Sequence, residues 1–268
     1  MVETGKLEGI LASCAPVLVA YSGGVDSAYL AWAAQQAAPG AMLAVIADSP
    51  SLPRSALRRA VAFAAAHEIP CEIIATQELD NPDYRRNQPN RCYFCKDELF
   101  TRMELELARR PGYRTLAYGV NADDRLDFRP GHRAAETHGV RAPLLEAGLG
   151  KAEIRQRARA AGLEVWDQPA AACLASRVAY GVEVTPEILA RIEQGEEALH
   201  ALGFRQVRVR FHGEIVRLEI AREELPRALT LPMADGLTAI FKKLGFHYVT
   251  LDLEGYRSGA LNEILPRA

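Results

Sequence analysis

Apolar and polar positions along the chain fall into two regimes that change near residue 178. In the first, short apolar runs alternate with helical patterns. Val17 to Tyr21 (VLVAY) has the length and continuity of a buried strand, and a turn and an apolar helix from about Asp26 to Ala38 follow it. Met42 to Ala47 predicts a second strand, and Pro53 to His67 an amphipathic Arg/Ala-rich helix. Cys71 to Ala75 and Thr115 to Gly119 predict a third and a fourth strand. Between these two, Asn81 to Asn90 is too rich in Pro, Asn and Arg for regular structure, and Lys96 to Arg109 has helical composition. A further helix follows Gly150 and runs to an irregular loop, Asp167 to Arg177. Strands alternating with helices predict a parallel sheet wrapped by helices, an α/β fold over residues 1–178.

In the second regime, residues 179–268, a helix from Pro186 to Leu202 precedes two alternating runs, Gln206 to Phe211 and Glu214 to Ile220, joined like a hairpin at His212-Gly213. A helix around Asp235 to Leu244 and a strand at Tyr248 to Leu253 complete a smaller α+β domain. Composition narrows the class. About half the residues are apolar and a quarter charged, as in ordinary globular proteins. Lys plus Arg number 32 against 34 Asp plus Glu, so bulk charge argues against a nucleic-acid partner, and the aromatic content gives no base-stacking surface. No apolar run reaches the ~18 residues that span a bilayer. The acidic opening does not resemble a signal peptide, so a cytoplasmic chain with reduced thiols is expected.

The strongest local signal is Ser22-Gly23-Gly24-Val25-Asp26-Ser27, between a strand and a helix. Glycines let the backbone turn and approach a ligand closely. The helix N-terminus offers N–H groups to an anion. Ser22 and Ser27 add hydroxyls, and Asp26 suits a cap or a Mg²⁺. No Gly-Lys-Ser/Thr follows, so the loop is not a Walker loop. SGGVDS resembles the PP-loop of the ATP pyrophosphatases, Rossmann-like adenine nucleotide alpha hydrolases. The resemblance implies ATP cleavage between the α and β phosphates with AMP transfer to a substrate oxygen. It places nucleotide on Ala20, Ser22, Gly24, Val25, Asp26 and Ser27, and at later strand ends on Asp48, Gly119 and Asn121.

Five cysteines are sparse for this length. Cys92 and Cys95 form a CxxC pair, a spacing that serves zinc, redox chemistry and iron–sulfur ligation. No second pair follows at zinc-finger spacing, and the strand–CxxC–helix context of a thioredoxin is missing. Cys173 stands in PAAACLASR, four residues before Arg177, which favours a nucleophilic thiolate. Cys14 and Cys71 read as packing residues.

RCYFCK, GVNADD, DFRPG, PAAACLASR, VRVRFHGEIVRLEI and VTLDLEGYRSGALNE, together with the PP-loop, resemble the LarE family from about residue 10 to 265. The CLASR and GYRSG segments carry the narrower resemblance. Its members are ATP-dependent sulfurtransferases acting on pyridinium-3,5-biscarboxylic acid mononucleotide, in the biosynthesis of the nickel-pincer cofactor of lactate racemase. The resemblance implies carboxylate adenylation, then displacement of AMP by sulfur. One branch of the family sacrifices a lone cysteine at the CLASR position, leaving dehydroalanine. Another holds a [4Fe-4S] cluster on three cysteines and binds an extra sulfide on the open iron. Cys92, Cys95 and Cys173 fit the cluster branch, with a separate sulfide source, and Cys173 as sacrificial donor stays open.

Arg208 and Arg210 share one face of a predicted strand beside His212, and the resemblance makes them the holders of the substrate phosphate. Arg177 suits AMP phosphate or substrate carboxylate; Asn121, Asp123 and Asp124 follow the fourth strand. Lys151 opens a helix, and Glu196 and Glu219 resemble family acidic positions near a metal. A homo-oligomer built through the C-terminal domain is implied by the family. Three other functions compete: a tRNA thiolase, an amide-forming ligase in which Cys173 has no role, and a nucleotide-sensing module without chemistry.

Overall fold

A computed structural model describes residues 5–126, 130–169, 172–257 and 259–264. The described residues form two compact units. One runs through Glu78 and then from Cys92 to Pro169; the other takes Leu79 to Arg91 and everything from Ala172 onward.

The first unit is the expected α/β fold. Its four strands, β1 (Val17–Ala20), β2 (Met42–Asp48), β3 (Cys71–Ala75) and β4 (Thr115–Tyr118), pair in parallel in the order β3-β2-β1-β4. All four residues of β1 are buried, as a central parallel strand requires. Side chains alternate across it: Val17 and Val19 join one apolar cluster, Leu18 and Ala20 the other. The first cluster takes residues from α1 (Lys6–Cys14), α2 (Val25–Ala37) and α3 (Arg54–Ala66). After α4 (Pro82–Arg85), which belongs to the other unit, α5 (Arg91–Ala108) and α6 (Pro130–Thr137) supply Leu99, Phe100, Met103, Ala134 and Ala135 to the second cluster. The short α7 (Pro143–Glu146) and α8 (Lys151–Ala160) return to the first. Phe100 is fully buried, and its truncation to Ala removes about 3–5 kcal/mol.

Two local readings are corrected. Helix α5 starts at Arg91 rather than Lys96, so both cysteines of the CxxC pair lie within it, near its start; the Arg91 N–H already bonds the Gln88 carbonyl, 2.9 Å away. Residues 81–90 are not wholly irregular. The Asn81 side chain accepts the Asp83 N–H at 2.9 Å and Pro82 sits at the first position, which suffices for the single turn α4.

In the second unit, α9 (Pro186–Ala201) is capped by Thr185, whose hydroxyl accepts the Ile188 N–H at 3.3 Å. Strands β5 (Val207–His212) and β6 (Ile215–Ile220) form the expected hairpin, pairing Arg208 with Glu219 and Arg210 with Arg217 across it. Strand β7 (Tyr248–Leu251) adds in parallel to β6. The one-turn α10 (Leu225–Ala228) and α11 (Leu231–Lys243) lie between them in sequence. Gly195 lets α9 approach its neighbours closely, since a β-carbon there would meet Phe241 Cε1 at 2.7 Å. Of the segments quoted above, Asp127, Phe128, Arg129, Ala170, Ala171 and Ser258 lie outside the described residues.

Candidate active site

In the first unit the chain order reverses at β1, which has β2 on one side and β4 on the other. Ligands of open parallel sheets collect outside the carboxyl ends of the strands at such a switch point. The SGGVDS loop leaves β1 there. Gly23 has φ +76°, and a β-carbon on it would strike Ala60 Cβ at 2.7 Å, so both conformation and space demand glycine. Ser27 Oγ donates to the Gly24 carbonyl at 3.0 Å and accepts the Ser22 N–H at 3.1 Å. Its single proton being committed, the 3.0 Å contact with Ser22 Oγ has Ser22 as donor. The two serines thus fix the loop at the start of α2. Gly24 caps that helix without a side-chain hydrogen bond, which leaves the positive helix end to an anion.

The GVNADD segment closes this end of the sheet. A β-carbon at Gly119 would lie 2.7 Å from the Ser27 nitrogen, so β4 and α2 meet this closely only through glycine. Asn121 Oδ1 accepts the Asp123 N–H at 3.0 Å, and Asp123 Oδ2 accepts the Lys151 N–H at 2.7 Å, capping α8. Asn121 Nδ2 donates to Asp26 Oδ2 at 3.4 Å, and Lys151 Nζ ion-pairs with the same oxygen. Asp26 Oδ1 is buried with no hydrogen-bond partner. A buried, unpartnered carboxylate oxygen beside an uncapped helix end suits Mg²⁺ carried in on a polyphosphate. Asp48 ends β2 on the same rim, its carboxylate held by Arg54 Nη1 at 2.5 Å. Ala20 ends β1 and Val25 opens α2, both buried. Lys151 reads from the sequence only as a helix-opening lysine, because its partner is 125 positions away and no local pattern records that pairing.

Cys92 and Cys95 sit one turn apart at the start of α5, on one face, where the helix dipole favours thiolates. Cys92 is exposed, and none of the five cysteines is in a disulfide. Arg133 lies over the neighbouring Tyr93 ring, 5.9 Å from its centroid. Two thiolates at this spacing reach one metal or cluster edge, so the donor set fits an iron–sulfur group. Among the described residues no cluster of three or more metal-ligating side chains is preassembled.

Cys173 and Arg177 belong to the second unit. Cys173 caps a 3₁₀ turn, Leu174–Arg177. Arg177 is 3% exposed; its Nη1 donates to the Ala172 and Cys173 carbonyls at 2.6 and 2.8 Å, while Nε and Nη2 grip Glu196 at 2.9 and 3.2 Å. Glu196 Oε1 also accepts the Val209 N–H at 3.2 Å. The two arginines expected to hold phosphate differ. Arg210 forks onto the fully buried Glu219 at 2.9 and 2.8 Å. Arg208 has no carboxylate partner among the described residues: its Nη1 donates to the Val207 carbonyl at 2.7 Å and it lies over the Tyr256 ring, 5.0 Å from the centroid. Burial, and then the Arg177 charge, hold its pKa below the usual guanidinium range. Of the two, Arg208 is the arginine whose charge lacks a paired carboxylate among the described residues, which suits an anion. His212 is held below its ordinary pKa by burial and by Arg217 and Arg210, and its Nε2 is buried without a partner.

No family model matches the chain. It is 44% identical over 250 residues to an uncharacterized protein of Synechocystis sp., covering 93% of both chains. It is 32% identical over 255 residues to the pyridinium-3,5-bisthiocarboxylic acid mononucleotide synthase of Lactiplantibacillus plantarum, covering 94% of this chain and 91% of that one. An uncharacterized protein of Methanocaldococcus jannaschii is 28% identical over 242 residues, covering 90% of this chain and 91% of its own.

Proposed function

The chain belongs to the LarE family, and on that premise we propose that it is an ATP-dependent sulfurtransferase acting on pyridinium-3,5-biscarboxylic acid mononucleotide, a step toward a nickel-pincer nucleotide. The plantarum relative is named for a bisthiocarboxylic product, and a biscarboxylate reaches that product by exchanging oxygen for sulfur. One observation carries the ATP part of the reading: the uncapped start of α2 beside the buried, partnerless Asp26 Oδ1 at the sheet's switch point.

The first-turn N–H groups of α2, with Ser22 and Ser27, receive the phosphates. Asp26 Oδ1 would hold a Mg²⁺ carried on the nucleotide, and Lys151, which shares Asp26 Oδ2 with Asn121, adds a cation for the leaving pyrophosphate. A substrate carboxylate oxygen attacks the α-phosphorus; the bond from that phosphorus to the bridging oxygen breaks, and pyrophosphate leaves with the electron pair. A sulfur nucleophile then adds to the acyl carbon, and AMP departs with the carbon–oxygen pair, leaving a thiocarboxylate. Arg208, the arginine without a carboxylate partner, takes the substrate phosphate, with Arg210 held beside it by Glu219. Cys92, Cys95 and Cys173 would hold a [4Fe-4S] cluster, which supplies an iron able to bind sulfide from a separate source. Exposed Leu229, Leu231, Tyr248 and Leu253 support self-association through the second unit; a light-scattering mass of a single chain would refute it. No helix among the described residues is long and apolar enough to cross a membrane.

The test supplies ATP, Mg²⁺, sulfide and the biscarboxylate mononucleotide under anaerobic conditions. Substrate-dependent pyrophosphate release, with oxygen-for-sulfur exchange in the product mass, is expected. Release unaffected by the mononucleotide, or stimulated by tRNA in its place, sinks the reading.

A further inference from the structure

The backbone around Cys173 is suspended on side chains, and two of these come from the segment that precedes Cys92. Asn87 is fully buried and has φ +54°, a conformation that favours asparagine or glycine. Its Nδ2 donates to the Val178 and Ala179 carbonyls at 3.2 and 2.8 Å, and its Oδ1 accepts from Arg91 Nη1. The same Arg91 nitrogen donates to the Ala175 carbonyl at 2.9 Å, and Arg91 is 6% exposed. Arg210 Nη1 holds the Ser176 carbonyl at 3.0 Å, and Arg177 holds those of Ala172 and Cys173. Carbonyls at 172, 173, 175, 176, 178 and 179 are thereby anchored, while the Cys173 side chain stays partly exposed. A short irregular loop would not need so many buried donors merely to stay folded. Charged donors to carbonyls are the stronger kind of hydrogen bond, and together they hold the loop to one geometry.

We infer that Asn87 and Arg91 are positioning residues for sulfur transfer: they form a buried polar clasp that fixes the loop presenting the Cys173 thiol. The inference deepens the sulfurtransferase reading and rests on it for its catalytic consequence. Its physical content, a constrained Cys173, stands apart from that reading. Arg91 also directly precedes Cys92, so the residue that opens the CxxC helix is one that holds the Cys173 loop.

The test uses the full chain with Asn87→Gly, which tolerates the positive φ while deleting the three side-chain bonds of Asn87, and Arg91→Lys, which keeps the charge but loses the planar fork. The first readout is the rate of Cys173 alkylation by iodoacetamide in substrate-free protein, followed by peptide mass spectrometry. The second is thiolated product formed per pyrophosphate released. A change of at least threefold in the Cys173 alkylation rate, with the buried Cys14 still protected, is expected for Asn87→Gly. Product per pyrophosphate should fall at least tenfold. An unchanged alkylation rate together with an unchanged product ratio overturns the inference. So does a parallel loss of pyrophosphate release, product and melting cooperativity, which marks a merely structural role. If wild-type protein releases no pyrophosphate with the mononucleotide, the functional reading fails, and the alkylation rates still judge the clasp.

Discussion

Gly119 shows how a single residue sets the spacing between β4 and α2 at the carboxyl end of the sheet. A β-carbon there would fall 2.7 Å from the Ser27 nitrogen and 2.8 Å from its Cα, and backbone atoms cannot swing aside as a side-chain tip can. Gly119→Ala therefore pushes β4 away from the first turn of α2, at an overpacking cost of about 1–3 kcal/mol. ATP affinity by calorimetry should weaken at least tenfold and the melting temperature fall. Gly9→Ala, in α1 with nothing within 4 Å, is the control, and should stabilise by about 0.5–1 kcal/mol. Equal ATP affinity in the two variants would show that this approach does not shape the nucleotide site. The sequence announced Gly119 as a strand-end glycine, because a strand followed by Gly-Val-Asn-Ala-Asp-Asp is local information. It was silent on Lys151 meeting Asp26 and on Glu219 holding Arg210, since charge pairing between distant positions has no local signature.

At the scale of elements, α5 carries the CxxC pair at its start and is tied to the end of α6 by one histidine. His138, which follows α6, bonds Glu104 through Nδ1 at 2.9 Å and Asp97 through Nε2 at 3.1 Å, both on α5. Burial works against the imidazolium, and the two carboxylate bonds outweigh it, so its pKa stands above the ordinary value. A raised folded pKa means that the stabilisation is complete below the unfolded value of about 6.5 and disappears as pH rises through the folded one. Denaturant titrations should find the stability difference between wild type and His138→Gln largest near pH 5 to 6, shrinking toward pH 9. A difference independent of pH would assign the effect to packing against Phe100. The hydrophobic pattern revealed the strands and the apolar helices because their periods persist over many residues. It missed α1 and α6, whose few apolar positions are padded with Gly, Ala and polar residues. It also set the start of α5 late, since Arg-Cys-Tyr-Phe-Cys has mixed propensity and the helix is nucleated by the turn before it.

Across the whole molecule the residues of the proposed reaction are divided between the two compact units: the SGGVDS loop, Lys151, Cys92 and Cys95 in one, Cys173, Arg177, Arg208 and Arg210 in the other. Both sets stand out in the sequence as motifs, and the pattern suggests a single boundary near residue 178. The chain's excursion from Leu79 to Arg91 into the second unit interrupts the first without any change in composition sharp enough to mark it. A net charge of −2 leaves no strong overall field, so the proposed anionic substrate would be gathered by individual arginines. The source of sulfur is the step on which the proposed function divides. Three thiolates fill three corners of a cubane and leave one iron for an exogenous ligand. Anaerobic reconstitution should therefore give about four irons per chain with acid-labile sulfide and broad absorbance near ~400 nm, lost in Cys92→Ala. Turnover should then continue past one product per chain and leave Cys173 unmodified by mass spectrometry. No iron, a single turnover, and a dehydroalanine at position 173, left when a Cys173 thioester loses its Cα proton and its Cβ–Sγ bond breaks with the sulfur staying on the acyl carbon, would instead make the protein its own sulfur donor. In that case Cys92→Ala would transfer sulfur as well as wild type, because a sacrificial Cys173 needs no partner thiol.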